Sequence, residues 1–186
     1  MTNKGILLPI AAPSGTGKTT VCRELLKSIG NCEFSVSCTT RSPRPGEMDG
    51  VDYNFLGHNT FERYIDNGKF VEYEKVFENY YGTLKSIVDK AIKNKKLLLL
   101  DIDVKGALAI KKQYPYYTIS VFLQPPSVDE LILRLTNRGT ENQRSIAIRK
   151  ARIPEEMKQA KLFDYEIIND NLQKAVNKIL DIIKEK

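Results

Sequence analysis

The fold of this chain is decided by the stretch Ala12–Thr19, which reads APSGTGKT. It matches the phosphate-binding loop GxxxxGK followed by Ser or Thr, except that alanine replaces the first glycine. The apolar run Ile6–Ala11 precedes the stretch, and apolar residues at helical spacing follow it. Pro9 weakens the strand prediction slightly, because proline cannot donate to a sheet ladder. The order of strand, loop and helix predicts a phosphate-binding site at this turn.

The residue types of the loop suit phosphate chemistry. Backbone N–H groups of a tight turn and of the following helix N-terminus converge on phosphate oxygens, and glycines let the backbone approach closely. Lys18 would place its charge on the outer phosphates, and the Thr19 hydroxyl would reach a Mg²⁺ ion. The residues predicted to form this site are Pro13, Ser14, Gly15, Thr16, Gly17, Lys18, Thr19 and Thr20.

Strands and helices alternate along most of the remaining chain. The apolar run Leu97–Leu100 has the length of a strand that is buried on both faces of a parallel sheet, and Asp101 follows it. The segment 34–83 is more mixed, and Glu33–Cys38 alternates as a half-buried strand would. The pattern predicts an α/β fold with a parallel sheet flanked by helices and with a mixed α/β insertion.

Length and composition bound the function without choosing it. The chain has 186 residues, with 29 Lys and Arg against 23 Asp and Glu, and its net charge of +6 favours anionic partners in general. The three cysteines form no CxxC pair and His58 is the only histidine, so zinc ligation and a disulfide framework lack residues. No signal core and no apolar run of about 18 residues is present, so we expect a cytoplasmic protein without a membrane span.

Other residues have the chemistry of phosphoryl transfer. Asp101 follows a predicted parallel strand, at the edge where such sheets bind ligands, and could orient a metal-bound water or accept donors from a substrate. Taken alone, Asp101 is equally well interpreted as a cap on the next element. Arg41 and Arg44 lie on a proline-stiffened loop and suit phosphate capture. Arginines in 134–149 could close over a transferred phosphoryl group, although a single one is more often a solvated surface charge.

The chain resembles the guanylate kinases, a family of P-loop nucleoside monophosphate kinases, over essentially its whole length. The resemblance is carried by APSGTGKTT, FSVSCTTRSPRPGEMDGVDYNF, FVEYEKVFENYYGT, LLLLDIDVKGA, LQPPS, NRGTE and FDYEIIND, in that order. The second block is the distinctive one, because phosphate loops are widespread. The resemblance implies one domain, 1–186, whose parts are a P-loop NTPase-type core at about 1–33, 96–126 and 160–186, a GMP-binding insertion at about 34–90, and a helical lid at about 127–159.

The resemblance also implies which residues bind the two nucleotides and Mg²⁺. The positions that hold GMP match Ser37, Arg41, Arg44, Tyr53, Glu72, Tyr81, Thr83 and Asp101. ATP would be bound by the phosphate-loop residues together with Arg134, Asn169 and Asp170. The catalytic charges would come from Lys18, Arg44, Arg138 and Arg149. Thr19 would hold Mg²⁺ together with ATP phosphates and water.

The activity implied by the resemblance is direct in-line transfer of the γ-phosphoryl group of MgATP to GMP, as part of purine nucleotide metabolism. The GMP phosphate is already an anionic nucleophile, so positioning and charge neutralisation would suffice without a general base. Glu72 can accept from the guanine N1–H and exocyclic amine, whereas adenine would leave this carboxylate unpaired. We expect weaker activity with dGMP, and neither a nucleic-acid nor a membrane partner is implied.

Two other functions are compatible with such a sequence. An inactive guanylate-kinase-like interaction module would share the fold, but such modules typically degrade the phosphate loop, and Lys18 and Thr19 are present here. A kinase for another phosphorylated substrate, such as a ribose bisphosphate, would not need the acceptor set of Glu72, Ser37 and Thr83.

Overall fold

The central sheet of the computed structural model has five strands, and all of their pairings are parallel. The model describes residues 4–76, 78–137 and 143–185, without the side chains of 134–137, 143–146, 148 and 149. The strands are β1 (Ile6–Ala11), β2 (Cys32–Phe34), β7 (Leu97–Asp101), β8 (Val121–Gln124) and β9 (Tyr165–Ile168). They lie side by side in the order β2-β7-β1-β8-β9. The predicted parallel sheet is thereby confirmed.

Pro9 lies within the central strand β1. Because proline has no N–H, one hydrogen bond between β1 and β8 is missing there, while the pairing of β1 with β7 is continuous. β1 pairs with β7 along its length, but with β8 only at Ile10 and Ala11, apart from an isolated bridge at Leu7. Leu7 donates to the carbonyl of Tyr117 on the β8 side, and the period of two places the nitrogen of residue 9 on that same side. The proline therefore coincides with the gap in the β1–β8 ladder, and the predicted strand forms around it.

Helices cover both faces of this sheet. Alternate β1 residues point to opposite faces, so that Ile6, Leu8 and Ile10 belong to one apolar cluster and Leu7 to the other. The first cluster includes residues of α1 (Lys18–Ser28) and α7 (Leu172–Lys184), and the second includes residues of α3 (Lys85–Lys93) and α4 (Val104–Gln113). This burial on both faces explains the continuous apolar runs of β1 and β7.

A second sheet of four strands stands beside the first, in the order β4-β3-β6-β5. Its strands are β3 (Cys38–Thr39), β4 (Asn54–Phe55), β5 (Phe70–Val76) and β6 (Asn79–Leu84). The helix α2 (His58–Asp66) packs on it through Phe61, whose ring stacks on Phe70 at 4.4 Å and on Tyr80 at 5.3 Å. All four strands fall inside the predicted insertion and mix parallel with antiparallel pairing.

The prediction of one strand over Glu33–Cys38 is wrong. β2 pairs with β7 in the first sheet, whereas β3 pairs with β4 and β6 in the second. Between them the amide of Ser35 still donates to Leu99, while the carbonyl of Ser37 accepts from Asn54. The backbone thus passes from one sheet to the other within three residues, and alternation cannot show that change because both pieces are half buried.

The described residues of 127–159 form two helices, α5 (Val128–Asn137) and α6 (Gln143–Gln159). Ser127, three residues ahead of Glu130 as in a capping box, is expected from the sequence to begin a helix. It caps α5, since its hydroxyl accepts from the amide of Glu130 at 3.1 Å. Leu131 of α5 and Ile153 of α6 are buried together. A 3-10 turn at Ala160–Leu162 then leads into β9.

The Arg138-Gly139-Thr140 stretch of the sequence predicts a break between two helices of this segment, and these three residues lie outside the described part of the chain. Among the described helices, none combines the length and the apolar character needed to cross a membrane.

Candidate active site

A cavity of about 400 Å³ opens where the phosphate loop faces the second sheet. The carboxyl ends of β1 and β7 form one wall, which is where parallel α/β sheets bind ligands. The opposite wall comes from the second sheet and its loops, and α6 closes one edge with Arg152 and Glu156. The cavity therefore joins parts of the chain that are far apart in sequence.

The phosphate loop depends on two glycines and on one buried amide. Gly15 and Gly17 have φ values of 98° and 92°, in the left-handed region that other residues rarely adopt. The Asn169 side chain donates to the carbonyl of Thr16 at 2.7 Å, and an added Cβ at Gly17 would lie 3.0 Å from the same amide. The Thr16 hydroxyl donates to the carbonyl of Pro13 at 2.7 Å. Hydrogen bonds from the Asn169 side chain and from the Thr16 hydroxyl thus stabilise the loop conformation.

Lys18 and Thr19 are both bound to Asp101 at the end of β7. The Lys18 ammonium contacts one carboxylate oxygen and donates to the carbonyl of Ile102 at 2.9 Å, while the Thr19 hydroxyl donates to the other carboxylate oxygen at 3.0 Å. Burial would lower the pKa of Lys18, but attraction to Asp101 outweighs it and keeps this pKa above its ordinary value. The lysine therefore stays charged at the floor of the loop.

On the opposite wall, one acidic residue orders the arginine loop. Glu47 accepts from the Arg41 guanidinium at 2.9 Å and from the backbone amide of Arg44 at 2.7 Å. The Arg41 guanidinium also lies 5.4 Å from the centre of the Tyr53 ring, and the Tyr53 and Tyr81 rings meet edge to face at 6.0 Å. Two arginines and two tyrosines therefore line this side of the cavity: Arg41, Arg44, Tyr53 and Tyr81.

Glu72 on β5 is held by its neighbour on β6. The Thr83 hydroxyl donates to Glu72 at 2.6 Å, and Thr83 itself is fully buried. Burial raises the pKa of Glu72, and the hydrogen bond from Thr83 opposes that shift. The other carboxylate oxygen, Oε2, faces Gly106, where an added Cβ would come within 2.9 Å of it. A fixed, desolvated acceptor of this kind suits a ligand with N–H donors.

Asp103 and Glu74 are two further acidic residues in the cavity wall, and they lie next to each other. Asp103 Oδ1 accepts from the amide of Gly106 at 2.8 Å and so caps α4. Burial and the adjacent Glu74 raise the pKa of Asp103 to about 7. The pKa of Glu74 is lowered in spite of burial, because Asp103, Lys105 and Arg152 stabilise its charge. A proton near neutral pH thus belongs mainly to Asp103.

The structure brings most of the predicted site residues to this one cavity. Those that line it are Pro13, Ser14, Gly15, Gly17, Lys18, Thr19, Thr20, Ser37, Arg41, Arg44, Tyr53, Glu72, Tyr81 and Asp101. Thr16, Thr83 and Asn169 are buried behind the lining, and Asp170 is exposed outside it. Arg138 and the side chains of Arg134 and Arg149 lie outside the described residues.

Several lining residues were not predicted. Glu74 follows Glu72 by two positions and therefore shares its face of β5, so the period of two could have indicated it. Asp103 lies beyond the end of β7, as the N-cap of α4, where this period no longer applies. Glu47 does not line the cavity but orients Arg41, and although it lies in the distinctive second block, the sequence indicated no role for it. Arg152 carries no signal in the sequence, because its place depends on how α6 packs against the rest of the chain.

The residues at the loop fit a magnesium ion. The Thr19 hydroxyl and the Asp101 carboxylate are oxygen ligands of the type that Mg²⁺ prefers, and they lie 3.0 Å apart. In the part of the chain that is described, no three or more His, Cys, Asp or Glu residues are grouped to hold a metal. Two protein oxygens suit an ion that keeps most of its coordination to water and to nucleotide phosphates.

A phosphate loop on the first strand of a parallel sheet, opposed by a carboxylate wall that can recognise a base, defines a P-loop nucleotide kinase. Comparison with known families gives the particular one. The family model for guanylate kinase matches residues 4–186. The chain belongs to the guanylate kinase family and is a kinase, which confirms the resemblance seen in the sequence.

Individual relatives agree over nearly the full chain. Guanylate kinase of Symbiobacterium thermophilum is 44% identical over 180 residues, which are 97% of this chain and 85% of that protein. Guanylate kinase of Chlorobium chlorochromatii is 46% identical over 175 residues, or 94% of this chain and 92% of that protein. The crystal structure of guanylate kinase from Anaplasma phagocytophilum superimposes with a TM-score of 0.81 at 30% identity, covering 98% of this chain and 86% of the other.

Proposed function

We propose that this chain transfers the γ-phosphoryl group of ATP to GMP and so produces ADP and GDP. The observation that carries the proposal is a single cavity with the phosphate loop on one wall and the Glu72 acceptor on the other. The names of the relatives point to the same reaction. One cavity with two such walls is the arrangement that direct transfer between two nucleotides requires.

The loop wall would bind the donor. Backbone N–H groups of 14–20 and the α1 N-terminus would hold the ATP phosphates, and Lys18 would neutralise charge on the group in transfer. Asp101 is bound to Lys18 and Thr19, so we assign it to this wall as well as to the GMP side. Bound Mg²⁺ would supply charge neutralisation between the phosphates, held by the Thr19 hydroxyl with Asp101 behind it.

The opposite wall would bind the acceptor. Arg41, Arg44, Tyr53 and Tyr81 would hold the GMP phosphate, and Glu72 would accept from the N–H donors of guanine. Thr83 would act on the base through Glu72, since its hydroxyl is already donated there. Ser37 lines the cavity and would contact the base edge directly.

Transfer would proceed in line without a general base. The attacking GMP oxygen is already anionic, so the chain needs only to align it with the γ-phosphorus and neutralise the spreading charge. Arg138 and Arg149 would complete that neutralisation from the predicted lid at 127–159. Exclusion of water by the closed segments would limit hydrolysis of ATP.

The experiment that tests this function is ADP release from MgATP in the presence of each of GMP, dGMP, AMP, CMP and UMP. We expect high activity with GMP, weaker activity with dGMP, and rates near background with the others. Equal rates with AMP would contradict the role of Glu72. Absence of activity with every nucleotide would favour the inactive interaction module instead.

A further inference from the structure

Arg152 lies where three parts of the fold meet. It belongs to α6, and its guanidinium Nη2 is 3.6 Å from Glu74 Oε1 on β5 and 3.8 Å from Asp103 Oδ2 at the start of α4. Its Nε is 3.4 Å from Glu156, one turn further along α6. The predicted lid, the second sheet and the central core are therefore joined by the charge of one side chain.

Glu74 is the residue on which these contacts converge. Its Oε1 accepts from the Lys105 ammonium at 2.9 Å in addition to facing Arg152. Its Oε2 is buried and has no hydrogen-bond partner among the described residues. A partly buried carboxylate depends on the cations beside it, because removal of one partner leaves its charge less well compensated.

Asp103 extends the connection to the residue proposed to recognise guanine. A Cβ added at Gly106 would lie 2.9 Å from Glu72 Oε2 and 3.2 Å from Asp103 Oδ1, so both carboxyl groups pack against the same glycine. Asp103 in turn is one of the two groups that face Arg152 across the cavity wall. A change of charge or position at Glu72 would thus reach Arg152 through a single intervening side chain.

We infer that Arg152 is a positioning residue that couples α6 to the guanine side of the cavity through Glu74 and Asp103. The inference rests on the proposed function, because it assumes that GMP binds at Glu72. Neither the resemblance nor the cavity-lining predictions assign a role to this arginine.

The contacts of Arg152 with Glu74 and Asp103 are long enough to change in length, so they can couple α6 to the cavity wall without fixing its position. Nitrogen–oxygen distances of 3.6 and 3.8 Å are those of ion pairs and exceed those of hydrogen bonds. The guanidinium can therefore shorten either contact when the cavity walls move. Position 149, predicted to act on the phosphates, precedes Arg152 by three residues, which is about one helical turn. A shift of α6 at Arg152 would consequently move the part of the helix that carries residue 149.

The test is amide hydrogen exchange of the full-length chain with and without GMP, followed across 143–159. GMP should slow exchange in this helix by about threefold in wild type, because binding at the far wall is transmitted to α6. We expect Arg152→Met to abolish this effect of GMP. Glu74→Gln and Arg152→Lys should each retain part of it, because Glu74→Gln leaves the contact between Arg152 and Asp103 in place. A residue that only stabilised the fold would change exchange equally with and without GMP.

Lys158→Met is the matched control, since Lys158 is exposed on the same helix and pairs only weakly with Glu155, at 3.9 Å. In steady-state assays Arg152→Met should raise KM for GMP about fivefold and leave KM for ATP within about twofold. The double variant Arg152→Met/Glu74→Gln should have a KM for GMP no higher than that of Arg152→Met alone, because Arg152→Met already removes the contact with Glu74.

The outcomes separate this inference from the proposed function. Wild type that phosphorylates GMP, with protection by GMP retained in Arg152→Met, would overturn the coupling alone. Wild type that shows the protection but no transfer to GMP would overturn the proposed reaction and leave the coupling standing. Additive effects in the double variant, or an equal rise of KM for ATP, would also overturn the coupling.

Discussion

The two walls of the cavity are built by different means. The phosphate loop is one continuous stretch in which backbone groups face the cavity, and two glycines together with Asn169 hold its shape. The opposite wall is assembled from side chains on separate segments, each oriented by another side chain: Arg41 by Glu47, and Glu72 by Thr83. A backbone site should tolerate many substitutions, whereas a side-chain site should lose its selectivity when one orienting contact is lost.

The largest loss of activity is expected from Lys18, the charged side chain on which the backbone-built phosphate loop depends. Lys18→Ala should lower kcat by about 100-fold or more, because a fixed charge on the transferred group is removed while the loop backbone remains. The matched control is Lys27→Ala, an exposed lysine of the same helix that pairs with Glu24. Retention of more than about a tenth of the wild-type kcat, with the fold intact by circular dichroism, would contradict the role given to Lys18.

A loss of selectivity is expected on the opposite wall. Glu72→Gln should lower kcat/KM for GMP by about 30-fold or more, since an amide N–H₂ would then face the guanine donors, and the preference for GMP over AMP should shrink accordingly. Gln keeps the oxygen to which Thr83 donates, so the local fold should survive. Glu62→Gln, an exposed position on α2, is the control. If Glu72→Gln kept the wild-type preference, another group would have to read the base.

The first wall could be predicted from sequence almost completely, and the second only in part. The loop is contiguous, so Ala12–Thr19 and its flanking elements contain its phosphate-binding backbone, although Asn169, which helps to hold its shape, comes from far along the chain. The second wall needs the pairing of β5 with β6 and the passage of residues 35–37 between sheets, and the mistaken strand over Glu33–Cys38 shows that local alternation does not contain this information. Thr83 was predicted to bind the base, but its donation to Glu72 depends on strand register.

The smallest effect concerns stability. The raised pKa of Asp103, about 7, means that the folded chain keeps a proton at pH values where the unfolded chain has released it. The contribution of Asp103 to stability therefore falls as pH rises from about 4 to about 7. Asp103→Asn removes this titration and keeps an acceptor for the amide of Gly106. The Tm of wild type minus that of Asp103→Asn should thus decrease between pH 5 and pH 8.

Thermal unfolding followed by circular dichroism at several pH values measures this difference. Asp66→Asn, which changes an exposed carboxyl group on α2, serves as the matched control. A difference that stays constant, or one that increases with pH, would contradict the raised pKa of Asp103.

The central claim is that one cavity holds both nucleotides at once, on its two walls. The most direct measurement is a calorimetric titration of a non-hydrolysable ATP analogue with Mg²⁺ into wild type saturated with GMP. We expect one analogue bound per chain, with an affinity no more than a few times weaker than in the absence of GMP. If saturating GMP prevented the analogue from binding, the two ligands would share one wall, and the division of the cavity described above would be wrong.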